Sequence, residues 1–186
     1  MAAMNIPNKI SIGRIILIPF FITAVAYSRL DIALIVFLIA TVSDGIDGML
    51  ARALKQKTEL GTILDPMADK LLLVSAYICL AVAGNIPAYL RMPPYVPIII
   101  ISRDVIIVLG SVIIYLIRGK LNVAPSVMGK ITTFFQMITI VSILARFEYS
   151  YVMWSFTVLM TIASGIDYVI KGSRALSENN GIRKVS

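Results

Sequence analysis

The chain has 186 residues, of which 59% are hydrophobic and 15% are charged, and its mean hydropathy is +0.90. A water-soluble domain of this length would expose too much apolar surface, so the composition predicts an integral membrane protein. The net charge of +7 is therefore not read as a sign of nucleic-acid binding, and the absence of histidine excludes the commonest general base.

Six apolar stretches are long enough to cross a bilayer as helices, which takes about 20 residues each. They are predicted over Ile10–Tyr27, Ile32–Ala53, Leu60–Ala83, Val96–Ile117, Ser126–Ala145 and Tyr151–Ile170. None of the polar segments between them could form a soluble domain. We therefore expect an all-α integral membrane protein with six transmembrane helices and a single domain over residues 1–186, in which residues from about 172 to 186 form a polar, disordered tail.

The basic residues predict the orientation of these helices. Twelve Lys and Arg residues lie on the side of the membrane that holds both termini, and three, Arg29, Arg91 and Arg146, lie on the other. Since Lys and Arg accumulate on the cytoplasmic side, both termini are expected in the cytoplasm, as in a multi-pass protein of a bacterial inner membrane. The loop between the second and third helices then faces the cytoplasm.

Four aspartates flank this loop. Asp44 and Asp47 are spaced i, i+3 near the end of the second helix, so they share a face. On the third helix, Gly61, Asp65 and Asp69 are spaced by four residues and form one stripe. The two adjacent helices are therefore expected to present four carboxylates to one pocket on the cytoplasmic side.

Four carboxylates in one pocket call for a cation to balance their charge. With oxygen ligands alone, the expected ions are Mg²⁺, Mn²⁺ or Ca²⁺. Four ligands suffice for two ions that share bridging carboxylates, an arrangement used in phosphoryl transfer, and Arg52 is a natural phosphate partner beside them. The alternatives are ion pairs that hold helices together, or an ion-coupled transporter, which would place its acids near the midplane within inverted repeats.

The spacing Asp44-x2-Asp47-Gly48-x2-Ala51-Arg52-x8-Gly61-x3-Asp65-x3-Asp69 resembles the full signature of the CDP-alcohol phosphotransferases. Four further segments resemble the phosphatidylglycerophosphate synthases of this family: NIPNKISIGRIILIPFF at the start, ISRDV at 101–105, MGKITTFFQM at 128–137, and SGIDYVIKG late in the chain. The first three also resemble the cardiolipin synthases of the same family.

The resemblance implies a six-helix membrane enzyme, usually a homodimer, that transfers a phosphatidyl group from CDP-diacylglycerol to an alcohol and releases CMP. Its metal ligands, for two Mg²⁺ or Mn²⁺ ions, would be Asp44, Asp47, Asp65 and Asp69. Asp69 would also accept the proton of the attacking hydroxyl. The residues that would line the cytidine diphosphate site are Gly48, Ala51, Arg52, Gly61 and Thr58.

The acceptor is expected to be glycerol-3-phosphate, because the resemblance extends from the first segment to SGIDYVIKG. The alternative acceptor is phosphatidylglycerol, which would give cardiolipin. The phosphate of either acceptor needs cations, and the candidates are Arg103, Lys130 and Arg14. A local ion pair with Asp104 is the alternative role for Arg103, and a contact with lipid phosphates at the membrane surface is the alternative for Lys130.

Overall fold

The computed structural model describes residues 6–53, 59–84, 86–118 and 127–182, with side chains for 13–43, 68–84, 86–112, 116 and 127–173. The described residues form helices and short connections, without a β-strand. The α-helices are α1 (Ile6–Ala26), α2 (Leu30–Ala53), α3 (Glu59–Val82), α4 (Tyr95–Arg118), α5 (Val127–Leu144) and α6 (Ser150–Ile182). A short 3₁₀ helix at Ala88–Leu90 precedes α4.

Each stretch predicted from hydropathy corresponds to one of these helices. The largest difference is at the end of α6, which continues past Ile170 to Ile182. The expectation that a disordered tail begins near residue 172 is therefore wrong for this segment. The polar residues that follow include helix formers and no proline, and Lys171 pairs with Asp167 one turn earlier at 2.8 Å, which supports the helix at this point.

The surface of the described helices is strongly apolar. Phe20, Ile98 and Leu159 are each more than 60% exposed, together with many other large aliphatic side chains. Three segments are long and apolar enough to cross a bilayer among the residues whose side chains are described: Ala88–Val112, Val127–Leu144 and Ser150–Ser173. Water does not tolerate exposed apolar surface on this scale, so the fold is that of a helical integral membrane protein.

The chain divides into two compact units, one of Met1–Pro93 with Ile140–Tyr151 and one of Pro94–Thr139 with Val152–Ser186. In the first unit, α1 packs against both α2 and α3. Phe21 and Phe37 meet between α1 and α2 with their ring centroids 6.0 Å apart, and both are fully buried. The single-domain organisation expected for residues 1–186 stays a prediction.

Hydroxyl groups connect the helices of the second unit. The Thr139 and Thr157 hydroxyls, on α5 and α6, are hydrogen-bonded at 2.8 Å. Between α4 and α6, the Tyr168 hydroxyl lies 2.7 Å from Ser111 Oγ and donates to the Ile107 carbonyl at 3.0 Å. Apolar burial gives little drive for helix association within lipid, so hydrogen bonds of this kind help to define which helices meet.

The C-terminal ends of α1 and α5, which both belong to the first unit, carry the same capping motif. At the end of α1, Arg29 N–H donates to the Ala24 carbonyl and Ser28 N–H to the Val25 carbonyl, the pattern of a Schellman motif. The residue that takes the left-handed conformation there is Ser28, with φ of 58°. The end of α5 repeats the motif with Arg146, also at φ of 58°.

Candidate active site

The second half of α2 carries the first pair of aspartates. The buried apolar residues in the described part of this helix are Leu30, Ala33, Phe37 and Ala40. The last three follow steps of four and three residues, so they occupy one face. Repeating those steps reaches positions 44, 47 and 51 before the helix ends at Ala53. Helical periodicity thus predicts that the two aspartates continue the buried face of α2.

The first half of α3 carries the second pair. The buried face of α3 is formed by Ala68, Leu72, Leu73, Ala76, Tyr77 and Leu80. Asp69 lies three and four residues before Leu72 and Leu73, and its side chain is partly buried. Asp65 precedes Asp69 by four residues, so periodicity predicts that it continues the same face.

Among the described side chains of the first unit, Arg14 is the buried cation. It lies on the face of α1 that also carries the buried Ile18, Phe21 and Val25, and only 1% of its surface is exposed. Since α1 packs against both α2 and α3, this face looks towards the helices that carry the aspartates.

The depth of Arg14 along α1 is similar to the depth of Asp44 along α2. Arg14 lies 12 residues before the end of α1 at Ala26, which is about 18 Å of helix. Asp44 lies 14 residues after the start of α2 at Leu30, or about 21 Å. Because a short turn joins α1 and α2 and the two helices pack together, Arg14 and Asp44 lie at similar distances from that turn along the helix axes.

Most of the predicted ligand set lies outside the described side chains: Asp44, Asp47, Gly48, Ala51, Arg52, Gly61 and Asp65, with Thr58 outside the described backbone as well. Asp69 is the predicted metal ligand whose side chain the structure describes. Within the described side chains, no group of three or more His, Cys, Asp or Glu residues could hold a metal ion. The proposed metal site falls mainly outside that set and stays a prediction.

The chemistry of the donor set fits a hard divalent cation. The motif offers four carboxylates, whereas the chain has no histidine and a single cysteine, Cys79. Oxygen-only ligation of this kind suits Mg²⁺ or Mn²⁺ rather than Zn²⁺ or copper. The residues present are therefore compatible with the ions that the family resemblance implies.

Arg103, a candidate for the acceptor phosphate, is buried in the second unit and is 8% exposed. Its Nη1 donates to Asp104 Oδ1 at 2.8 Å, and its Nη2 donates to Ser164 Oγ on α6. Its Nε is also buried and has no hydrogen-bond partner. The ion pair with Asp104 considered from the sequence is therefore present. It leaves part of the donor capacity of the guanidinium unused.

Lys130, another candidate, lies in the first turn of α5 and is exposed. An exposed lysine at the beginning of an apolar helix can reach lipid phosphates with its flexible stem. The three candidate cations thus differ in burial: Arg14 and Arg103 are buried, and Lys130 is exposed.

Sequence reasoning missed Ser164 as a partner of Arg103. The available signal was the segment SGIDYVIKG, in which Ser164 precedes Gly165. A Cβ at Gly165 would lie 3.5 Å from Arg103 Cγ, so the glycine lets the arginine stem lie against α6. Arg103 also lines a cavity of about 450 Å³ between α4 and α6, whose other walls are mainly isoleucine.

Comparison with known proteins agrees with the signature. The model of the CDP-alcohol phosphatidyltransferase family matches residues 4–164. This match spans all of the aspartate motif and reaches Ser164.

Several relatives align over nearly the full chain. The CDP-diacylglycerol–glycerol-3-phosphate 3-phosphatidyltransferase of Bacillus subtilis is 33% identical, covering 95% of this chain and 99% of the relative. The enzyme of the same name from Haemophilus influenzae is 36% identical, with 91% and 95% covered. The human cardiolipin synthase (CMP-forming) is 30% identical, covering 92% of this chain and 63% of the relative.

Proposed function

The chain belongs to the CDP-alcohol phosphatidyltransferase family, and we propose that it transfers a phosphatidyl group from CDP-diacylglycerol to glycerol-3-phosphate. The products are phosphatidylglycerophosphate and CMP. The observation that carries this proposal is the alignment of more than nine-tenths of the chain with relatives named for this reaction. Family membership gives no support to the transporter alternative.

Asp69 is the proposed proton acceptor. In the reaction, a hydroxyl oxygen of the acceptor forms a bond to the phosphorus of the phosphatidyl group while the bond from that phosphorus to CMP breaks. The hydroxyl loses its proton as it attacks, and since the chain has no histidine, an aspartate of the motif is the proposed acceptor. The partial burial of Asp69 on the inner side of α3 supports this role.

The four aspartates, Asp44, Asp47, Asp65 and Asp69, are the proposed ligands of two Mg²⁺ or Mn²⁺ ions. When bound, such ions neutralise the diphosphate and stabilise the departing CMP. The continuation of the buried faces of α2 and α3 into the aspartate positions supports a shared site. Both helices pack on α1, which also supports a site shared between them.

The cytidine diphosphate is proposed to lie against the small residues of the motif. Gly48, Ala51 and Gly61 would leave room for the nucleotide, where longer side chains would intrude. Arg52 would pair with a phosphate oxygen, and Thr58 would donate a hydroxyl. The spacing of these residues within the family signature supports the assignment.

Arg14 and Arg103 are the better supported candidates for the acceptor phosphate, with Lys130 third. A buried arginine within a membrane helix is expensive and is a functional candidate by default. Arg14 lies on the face of α1 that packs towards the aspartate helices, and Arg103 retains an unused buried Nε. Lys130 is exposed, so it is equally suited to a lipid contact.

The proposed arrangement in the membrane has six transmembrane helices with both termini in the cytoplasm. The six α-helices of the described chain and the distribution of basic residues support it. This orientation puts the ends of α2 and α3 that carry the aspartates on the cytoplasmic side, where the water-soluble acceptor is found. A homodimer, which the family resemblance implies, is part of the proposal.

Cardiolipin synthesis from phosphatidylglycerol is the second candidate function. The similarity to the human cardiolipin synthase over 92% of the chain favours it. The cavity between α4 and α6 lined by Arg103 also fits an acceptor that is itself a lipid.

The experiment that tests the proposal uses purified enzyme with CDP-diacylglycerol, Mg²⁺ or Mn²⁺, and one acceptor at a time. Release of CMP with glycerol-3-phosphate, together with formation of phosphatidylglycerophosphate, is the expected result. CMP release with phosphatidylglycerol alone would instead establish the cardiolipin synthase, and no CMP release with any alcohol would contradict the family activity. Omission of the divalent cation is the matched control.

A further inference from the structure

A groove of about 710 Å³ lies on the outer side of the α1–α2 pair, near the turn that joins the two helices. Its walls are mostly apolar, and its polar groups are concentrated at the turn. The residues that define it are Leu17 and Phe20 on α1, Tyr27 and Arg29 in the turn, and Ile32 and Val36 on α2.

The length of the groove matches one leaflet of a bilayer. Tyr27 and Leu17 are separated by ten positions along α1 and its end, which is about 15 Å at the rise of an α-helix. The hydrocarbon core of a bilayer is about 30 Å thick, so one leaflet contributes about half of that length. One acyl chain therefore fits along the groove from the turn towards the bilayer centre.

The turn end of the groove carries an uncompensated positive charge. Among the described residues, the Arg29 guanidinium has no hydrogen-bond or ion-pair partner. The nearest acid along the chain is Asp31, and its carboxylate is held by Arg146 at 3.1 Å. Tyr27, 77% exposed beside it, places an aromatic side chain with a polar tip at the same level.

We propose that this groove binds one anionic glycerophospholipid of the surrounding bilayer. The phosphate of the lipid accepts hydrogen bonds from Arg29, and one acyl chain lies along the wall formed by Phe20 and Ile32. Tyr27 lies at the boundary between headgroup and acyl chain, where tyrosine is favoured in membrane proteins. The charge complementarity with a phosphate and the match to a single leaflet select this occupant.

Trp154 is the only tryptophan of the chain, which permits a test specific to the groove. In a Trp154→Phe background, Phe20→Trp introduces an indole into the groove, and the protein is reconstituted with lipids that carry brominated chains. Brominated phosphatidylserine is compared with brominated phosphatidylcholine, since neither is a substrate or a product of the proposed reaction. Bromine quenches the indole only at short range, so a difference in quenching between the two lipids reports which of them the groove prefers.

The expected result is a preference of about fivefold for phosphatidylserine over phosphatidylcholine, as one arginine near an anionic headgroup provides. Arg29→Gln should remove the preference, and Arg29→Lys should retain most of it, which separates loss of charge from loss of fold. The matched control is Arg91→Gln, because Arg91 is exposed and its guanidinium is already bonded to the Ile86 and Gly84 carbonyls. It should leave the preference unchanged.

A second variant tests the acyl chain. Thr23→Phe fills the groove, whereas Ile22→Phe changes an exposed neighbour that does not line it. Quenching should fall with the first change and persist with the second. Three results would overturn the proposal. The first is equal quenching by both lipids, and the second is a preference that survives Arg29→Gln. The third is an indole that neither lipid quenches because a second copy of the chain covers it.

Discussion

Arg103 on α4 and Ser164 on α6 are 61 positions apart in the sequence, and the Nη2 of Arg103 donates a hydrogen bond to Ser164 Oγ. Asp104, the residue next to Arg103, holds the other terminal nitrogen at 2.8 Å. The guanidinium is thereby fixed between two helices. A fixed arginine is pre-organised for an anion, because it loses little rotamer freedom when the anion binds.

Arg103→Ala should raise the KM for glycerol-3-phosphate strongly if this arginine contacts the acceptor phosphate. A lost charged contact away from water is worth roughly 2–3 kcal/mol, or about 30- to 150-fold. Ser164→Ala should have a smaller effect of the same kind, since it loosens the arginine without removing it. The KM for CDP-diacylglycerol should change little in steady-state assays of either variant.

The control for Ser164→Ala is Thr161→Ala, because the Thr161 hydroxyl donates to the Thr157 carbonyl within α6 itself. It should leave the KM for glycerol-3-phosphate near its original value. If Arg103→Ala also leaves that KM unchanged, the role of Arg103 is limited to its ion pair with Asp104.

Asp69→Asn should abolish turnover more completely than it weakens metal binding. An amide oxygen can still coordinate a cation, but an asparagine cannot accept the proton of the attacking hydroxyl. Mn²⁺ binding is measured by electron paramagnetic resonance and turnover by CMP release. Asp65→Asn, which alters a proposed ligand without a proton-transfer role, should weaken both together. Near-normal CMP release from Asp69→Asn would contradict the assignment.

Gly110→Ala should destabilise the protein. The added Cβ would lie 3.0 Å from Tyr168 Cε1. The ring is held in place because its hydroxyl donates to the Ile107 carbonyl and lies within hydrogen-bonding distance of Ser111 Oγ. Overpacking of this kind typically lowers the free energy of unfolding by about 1–3 kcal/mol. Unfolding in sodium dodecyl sulfate, followed by circular dichroism, measures the change.

Gly13→Ala is the matched control, since it is also a glycine within a helix but has open space where its Cβ would be. It should raise stability by up to about 1 kcal/mol through helix propensity. Combining Gly110→Ala with Tyr168→Leu should remove most of the clash. A Gly110→Ala variant as stable as the original protein would show that Tyr168 can move aside.

Ser28→Gly should stabilise the protein by roughly 0.5–1 kcal/mol. Ser28 has φ of 58°, a conformation that is strained for any residue with a Cβ by about 1–2 kcal/mol. The extra freedom of glycine in the unfolded chain offsets part of that gain. Ser102→Gly, at an exposed position inside α4, should have the opposite sign under the same unfolding assay.

The proposed orientation predicts which positions react from each side of the membrane. After Cys79 is replaced by alanine, Lys57→Cys and Lys120→Cys should react with a membrane-impermeant maleimide from the cytoplasmic side. Arg91→Cys should react from the opposite side, because the excess of basic residues fixes the cytoplasmic face. Reaction of Lys57→Cys from outside would contradict this orientation and would assign the ends of α2 and α3 that carry the aspartates to the opposite side of the membrane.

The sequence by itself determined the class of the protein, its helices and its family. Hydropathy is a local property of the chain, so the lengths of apolar runs located each α-helix of the described residues. The spacing of the aspartate signature indicated the chemistry without knowledge of the packing. The end of α6 was predicted too early, because hydropathy shows where the apolar segment of a helix ends and not where its backbone hydrogen bonds end.

Only the tertiary structure decided which of the basic residues are buried. Arg14, Arg103 and Lys130 were all candidates in the sequence, and the structure shows that Arg14 and Arg103 are buried whereas Lys130 is exposed. The difference arises from contacts between helices that are distant in the chain, such as that of Arg103 with Ser164. The same holds for Arg29, which is left without a partner because Arg146, 115 positions from Asp31, occupies that carboxylate.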